Sequence, residues 1–239
     1  MQASHAEKTK GEFFQRFSLQ FRIQHFVLFL SVLTLIVTGV PLWCIKRPEY
    51  VWWSESAMGA TGYIEAVRWI HHVAALALTA LSVYHLLYTI YTREGRREFV
   101  ALLPRPKDFA DVTTNLMYFL GLRKEGPRFG RYTYFEKFDY WAVYWGCVIM
   151  IGSGYTLWFT DISLRFAPWF NYELAALVHA DEAILATLAL LVWHFYNVHL
   201  NPSRFPGTML WLHGKISREE MMAEHPLEYE DIESDGERE

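Results

Sequence analysis

Cysteine is nearly absent from this chain: 239 residues hold two, Cys44 and Cys147, both in or beside apolar runs. Two such cysteines build neither a disulfide framework nor a zinc spacing, and without a C-x-x-C-H motif there is no covalent c-type haem attachment. Iron–sulfur and molybdenum motifs are missing too, so any substrate chemistry is expected to belong to another subunit. The net charge is only −4 and by itself implies nothing about nucleic acid; no basic patch is interleaved with aromatics in a soluble element, and no nucleic-acid partner is expected. No small-residue cleavage site follows the first apolar run, and that run is too long for a signal peptide. It is expected to be a retained span.

What the chain has is segregated hydrophobicity. Apolar residues make up 52% and aromatics 17%, gathered in long runs that alternate with charged loops. This is a multi-pass membrane pattern, not a soluble core. The expected fold is an all-α membrane protein, a four-transmembrane-helix bundle with spans at about 22–43, 67–92, 138–160 and 174–200. Residues 1–21 read as a mobile or interfacial N-terminal arm, 22–202 as the bundle domain and 203–239 as an acidic tail, part amphipathic helix and part disorder. Pro41 is expected to end or kink the first span. Trp43, Trp52 and Trp53 suit an interfacial aromatic belt. In the long loop, DFADVTTNLMYFLGL reads as an amphipathic helix lying on the surface.

The arm through Arg22, the 93–137 loop and the tail hold 18 of the 22 Lys and Arg residues. By the positive-inside rule both termini and the long loop are expected to be cytoplasmic, in a bacterial-type inner membrane.

Histidine carries the chemistry. His179 and His194 are 15 residues apart in the fourth span. They return to within about 60° of each other on the helix, displaced by about 22 Å. His71 and His85 are 14 residues apart in the second span, about 40° short of four turns. His72 and His85 fall on roughly opposite faces. Same-face pairs at matching depths on two helices suit two stacked bis-histidine haems. Histidine-bound zinc or copper would need ligands converging on one point. His25 lies at the depth of His85 and His194 and competes with His85 for the second haem. His72 is expected to pack beside the outer haem, and His199 points away from His179. His5, His213 and His225 carry no signal. Arg22 and Arg68 are candidates for pairing with haem propionates. Gly39 removes a side chain where something bulky presses on the first span. Gly146, Gly152 and Gly154 in the third span read equally as haem clearances or helix contacts. Asp181 and Glu182 could cap the start of the fourth span or relay protons.

These residues bring a family into view. Arg22-x-x-His25 opens span one and Thr38-Gly39-x-Pro41 closes it. Trp69-Ile70-His71 through Tyr84-His85 lie in span two. His179-x-x-Glu182-Ala183 through Trp193-His194-Phe195-Tyr196 lie in span four. Over about residues 12–215 the chain resembles the four-helix di-haem cytochrome b subunits grouped with the formate dehydrogenase gamma subunit and the nickel–iron hydrogenase b-type cytochrome. The phrases PRFGRYTYFEKFDYWAVYWG and DFADVTTNLMYFLGL are similar to a branch often found beside multihaem c-type cytochromes.

The resemblance implies two non-covalent b haems that carry electrons across the membrane. It assigns His25 and His194 to the inner haem and His71 and His179 to the outer one. His85 departs from that plan. It fits the other known arrangement, two histidines on each of two helices, and leaves the inner haem's second ligand as His25 or His85. A third haem on the spare histidine is the lesser alternative. The chain is then an electron-transfer subunit of a quinol/quinone oxidoreductase complex. Its outer-side partner is expected to be a multihaem cytochrome c or an iron–sulfur or other oxidoreductase subunit. Quinone or quinol is expected near the inner haem, with Asn115, Asp111, Lys107 and Tyr118 of the long loop as candidate contacts. The competing readings are a haem-bearing anchor without a quinone site and a haem-free histidine-containing transporter.

Overall fold

The computed structural model describes residues 13–45, 61–201, 205 and 207–236. In chain order these form β1 (Phe13–Gln15), α1 (Leu19–Cys44), α2 (Thr61–Tyr91), α3 (Arg93–Leu102), α4 (Pro106–Phe119), α5 (Tyr134–Trp158), α6 (Thr160–Phe166), α7 (Tyr172–Leu188, extended by π-helical turns over Ala189–His194 and Tyr196–Leu200), α8 (Leu210–His213), β2 (Lys215–Ser217), α9 (Arg218–Glu224) and α10 (Pro226–Gly236). The protein is an all-helical membrane bundle. Three helices, α1, α2 and α7 with its π turns, are long and apolar enough to cross a membrane. The pair α5 and α6, bent by 112°, makes a fourth if it counts as one span. Trp52 and Trp53 lie outside the described residues.

By contacts the chain divides into two compact units. One gathers residues 1–22, 88–142 and 209–239; the other gathers 23–87 and 143–208. The second unit is built inside out relative to a soluble bundle. On α1 the buried residues are Gln24, Ser31, Thr38, Pro41 and Cys44, whereas Phe26, Phe29, Leu30, Leu33 and Val37 are exposed. Gln24, Ser31 and Thr38 are seven residues apart, so small and polar side chains form one seam and large apolar ones face lipid. Ser153 and Thr156 repeat this on α5. Thr34, Thr38, Thr79, Ser82, Ser153, Thr156 and Thr187 each donate a hydroxyl proton to the carbonyl four residues back. That satisfies them without water. Pro41 does not end α1, which runs on to Cys44, with the Ile45 N–H bonded to the Pro41 carbonyl.

In the other unit the arm is not loose over its described part. Phe13–Gln15 pairs antiparallel with Lys215–Ser217, in the register Phe14 opposite Ile216. Ile216, Met221 and Tyr229, with Phe14 and Leu210 packed on them, form a small core. Where partial disorder was expected, the described part of the tail is helical over Arg218–Glu224 and Pro226–Gly236, with Ile216, Met221 and Tyr229 packed around Phe14 of the arm. The amphipathic loop helix is present as α4. A second helix, α3, was hidden by its charge. Thr92 caps it, accepting from Gly95 N–H at 2.9 Å. Gly95 is required there: a Cβ would lie 2.3 Å from the Tyr88 carbonyl oxygen.

A buried ionic network ties this unit together. Glu98 is 2% exposed and accepts from Tyr132 Oη at 2.7 Å and Arg131 Nε at 3.1 Å. Arg131 and Arg16 both hold Glu228 of α10. His225, 1% exposed, donates from Nδ1 to the Gly130 carbonyl at 2.7 Å. Burial pushes the Glu98 carboxyl up. The charge of Arg131 and the hydrogen bonds from Tyr132, Arg97 and Arg131 outweigh this and hold it below its usual range. Burial first, then the Arg16 charge, lowers the His225 imidazole below its ordinary 6.5, against the pull of Glu136, the Gly130 carbonyl and Glu228.

Both groups lose their contribution on acidification. Glu98 stabilises the fold above the unfolded carboxylate value and less as pH falls through its folded value. His225 is favoured neutral, so its contribution is full above 6.5 and declines below it. The protection factors of the α9 and α10 amides, which are exchange rates corrected for the intrinsic pH dependence, should therefore be constant above pH about 7 and fall from about 6.5 downward. His225→Gln should remove the earlier part of that fall in protection. An unchanged pH profile in His225→Gln would show that the histidine does not set it.

Candidate haem centres

Two pairs of imidazoles meet in the unit that contains the spans. The His71 and His179 ring centroids are 6.4 Å apart with planes at 67°. Those of His25 and His194 are also 6.4 Å apart, with planes at 35°. Two metal–nitrogen bonds of about 2 Å each, plus roughly 1 Å from each nitrogen to its ring centre, fill such a gap. One iron between each pair of rings is therefore a sterically matched occupant. Among the described residues, no group of three or more His, Cys, Asp or Glu gathers as for a metal ion held by protein alone.

The first pair is held by a repeated device. Thr38 Oγ1 lies 2.8 Å from His71 Nδ1 and donates its own proton to the Thr34 carbonyl at 2.6 Å. Ser153 Oγ lies 2.9 Å from His179 Nδ1 and donates to the Ile149 carbonyl at 2.7 Å. Each hydroxyl has one proton and has spent it, so it accepts from the ring. Both imidazoles then carry hydrogen on Nδ1 and keep the Nε2 lone pair for a metal. The following residue in each case is glycine. A Cβ on Gly39 would sit 3.6 Å from His71 Cε1, and one on Gly154 would sit 3.2 Å from His179 Cε1. His71 is thus the group nearest Gly39, at an ordinary contact distance, and Gly154 is the tighter of the two. Sequence reasoning missed Ser153. The dipeptides Thr38-Gly39 and Ser153-Gly154, hydroxyl then glycine in two separate spans, were the available signal.

The π turns bear on the phase of α7. A residue added to one turn moves His194 from about 60° past the His179 face to about 40° short of it, so the two still share a side. His199 packs its ring on Phe195 at 4.9 Å. His72 stacks on Trp158 at 3.9 Å between centroids and 16° between planes. His85 Nδ1 is 2.8 Å from Gln24 Oε1.

The remaining expected site residues scatter. Arg22 donates to the Leu212 carbonyl, and Arg68 is exposed on α2. Gly146 lies against Glu182, whose Oε1 would be 3.1 Å from an added Cβ, and Gly152 faces open space. The cap of α7 is Asn171, which accepts from Leu174 N–H at 2.9 Å, so neither Asp181 nor Glu182 caps it. The helix begins earlier than the apolar run suggests, which places those acids a few turns inside. Lys107, Asp111, Asn115 and Tyr118 share one face of α4. There Lys107 pairs with Asp111 at 2.6 Å, and Asn115 donates to Tyr134 Oη at 2.8 Å.

An all-helical membrane bundle with paired imidazoles in its interior is the architecture of a membrane b-type cytochrome, an electron-transfer protein. Over residues 1–103 the chain is similar to the family described as prokaryotic cytochrome b561, whose model matches that stretch. That stretch contains His25, His71 and His85; His179 and His194 lie beyond it. No curated protein matches this chain.

Proposed function

We propose that this chain holds two bis-histidine b haems, one between His71 and His179 and one between His25 and His194, and carries electrons between a quinone/quinol pool and a redox partner on the outer face. The observation that supports this most directly is that both pairs stand at the same 6.4 Å separation. When bound, each haem supplies a one-electron iron couple with no open coordination position. The chain's own residues set how each iron is held. Thr38 and Ser153 fix the tautomer and plane of the outer pair, Gly154 gives the His179 ring room, and Trp158 packs on neighbouring His72. The distribution of Lys and Arg favours both termini on the cytoplasmic side, with His71 and His179 outward and His25 and His194 inward. Arg22 and Arg68 remain the candidate propionate partners. On the inner side the polar face of α4, with Lys107, Asp111, Asn115 and Tyr118, is the candidate surface for the quinone head group. The outer partner is a multihaem cytochrome c or an oxidoreductase subunit.

The test is a redox titration of the purified protein in detergent or nanodiscs. Two haems per chain, with b-type absorption and reduction by menadiol, are the expected result. A colourless, iron-free protein would overturn the haem reading. Haems that dithionite reduces and menadiol does not would leave an anchor that carries electrons without a quinone site.

The hydroxyl clasps make a finer prediction. A hydrogen bond from Nδ1–H raises the basicity of Nε2 and favours ferric iron. Thr38→Val and Ser153→Ala should each raise the midpoint potential of the outer haem alone, with haem content unchanged and Thr38→Ser restoring the original value. Equal potentials in all four proteins would remove this role.

A further inference from the structure

His85 is left over once the two pairs are made, and its partner is unusual. Gln24 is only 6% exposed, in the second turn of α1 between Arg22 and His25. Its Oε1 takes the His85 Nδ1 contact at 2.8 Å, while its Nε2 is buried with no hydrogen-bond partner. Exchanging the amide's oxygen and nitrogen does not remove the problem. Nε2 would then donate to Nδ1, and the oxygen would be the orphan. A buried amide with one end unsatisfied is costly, and such groups in a working protein usually await a partner.

We propose that Gln24 is a head-group contact for a quinone or quinol, and that His85 is the positioning residue that aims its amide. This deepens the quinone reading above and rests on it. The chemistry suits a ligand oxygen that alternates between carbonyl and hydroxyl. With hydrogen on His85 Nδ1, the ring fixes the Gln24 oxygen and presents the –NH2 group to a carbonyl. With hydrogen on Nε2, the amide turns over and presents its oxygen to a hydroxyl. Gln24 immediately precedes His25 on α1, so a ligand held there adjoins the proposed inner haem. On α4, Lys107 is paired with Asp111, and Asn115 donates to Tyr134. Gln24 instead lies in an apolar span, where a lipid-soluble quinone resides. A haem propionate oxygen is the other acceptor with the same chemistry, and the experiment separates the two.

The full-length protein in nanodiscs is compared with Gln24→Leu, Gln24→Asn and His85→Leu. Haem content is measured by pyridine haemochrome, binding by fluorescence quenching of a hydroxyquinoline N-oxide, and reduction by menadiol against dithionite. The expected result is full haem content in every variant. Inhibitor binding and menadiol reduction should be weakened at least tenfold in Gln24→Leu and His85→Leu, and less in Gln24→Asn. If Gln24→Leu loses a haem, the amide serves a propionate and the inference falls. If His85→Leu loses a haem, His85 is a ligand and the inference falls. If the unaltered protein reacts with menadiol and Gln24→Leu reacts equally well, the quinone reading stands and this site does not. If the unaltered protein neither binds the inhibitor nor accepts electrons from menadiol, the quinone reading itself fails, and this inference with it.

Discussion

The His179→Ala variant will hold half the haem of the parent protein. His179 faces His71 at 6.4 Å between ring centroids, so its removal leaves one imidazole where two are needed. His72 cannot take its place, because it is next to His71 on α2 and stacked on Trp158. The other pair is spared by distance. His194 lies on the same helical segment about 22 Å away, opposite His25. The bundle itself should survive, since His179 is only partly buried and the helix continues through it. His71→Ala should reproduce the result, and the double variant should lose no more than either single one. The measurement is haem per chain by pyridine haemochrome, with a redox titration to show a single remaining wave at the potential of the inner haem. Loss of both haems, or of neither, would break the assignment of this pair.

Part of this was readable from composition. A membrane sets the length and apolarity of what crosses it, so spans read at about 22–43 and 174–200 correspond to helices at Leu19–Cys44 and Tyr172–Leu200. Helical phase selects His71 over His72, and the matching depth of His71 and His179 comes from the distribution of basic residues; their rings do stand close. Other features depend on contacts distant in sequence. The strand pair joins Phe13–Gln15 to Lys215–Ser217 across almost the whole chain, and three residues on each side give no periodic signal. Helix α3 was obscured because half of its ten residues are charged, and its inward side includes Glu98, which only a network with Arg131 and Tyr132 makes tolerable. Ser153 looks like one small polar residue in an apolar run, and Gln24 like one of several polar residues at the start of a span. Which of them faces a histidine is decided by how the helices are turned, and that is a property of packing. The bend after Trp158 and the π turns beyond Leu188 are likewise invisible in hydropathy, because neither needs proline.

His25→Ala should abolish the inner haem, and His85→Ala should keep it. Helical phase alone admits either residue opposite His194, since both lie at its depth. The ring geometry separates them. His25 stands 6.4 Å from His194, the same spacing as in the other pair. A ligand must offer its lone pair to iron across a gap that two imidazoles span, and the His25–His194 pair meets that condition without moving either helix. His25→Ala should therefore leave one haem per chain, with the spectrum and potential of the outer site. His85→Ala should leave two, with the inner potential little changed, while reactivity with quinol drops. His25→Met is the more telling substitution: a thioether in place of imidazole should retain a haem and raise its potential, which a histidine with only a packing role could not produce. If His85→Ala instead loses the inner haem and His25→Ala keeps it, α1 contributes no iron ligand. The arrangement is then two histidines on each of two helices, and the close approach of His25 to His194 is a packing contact.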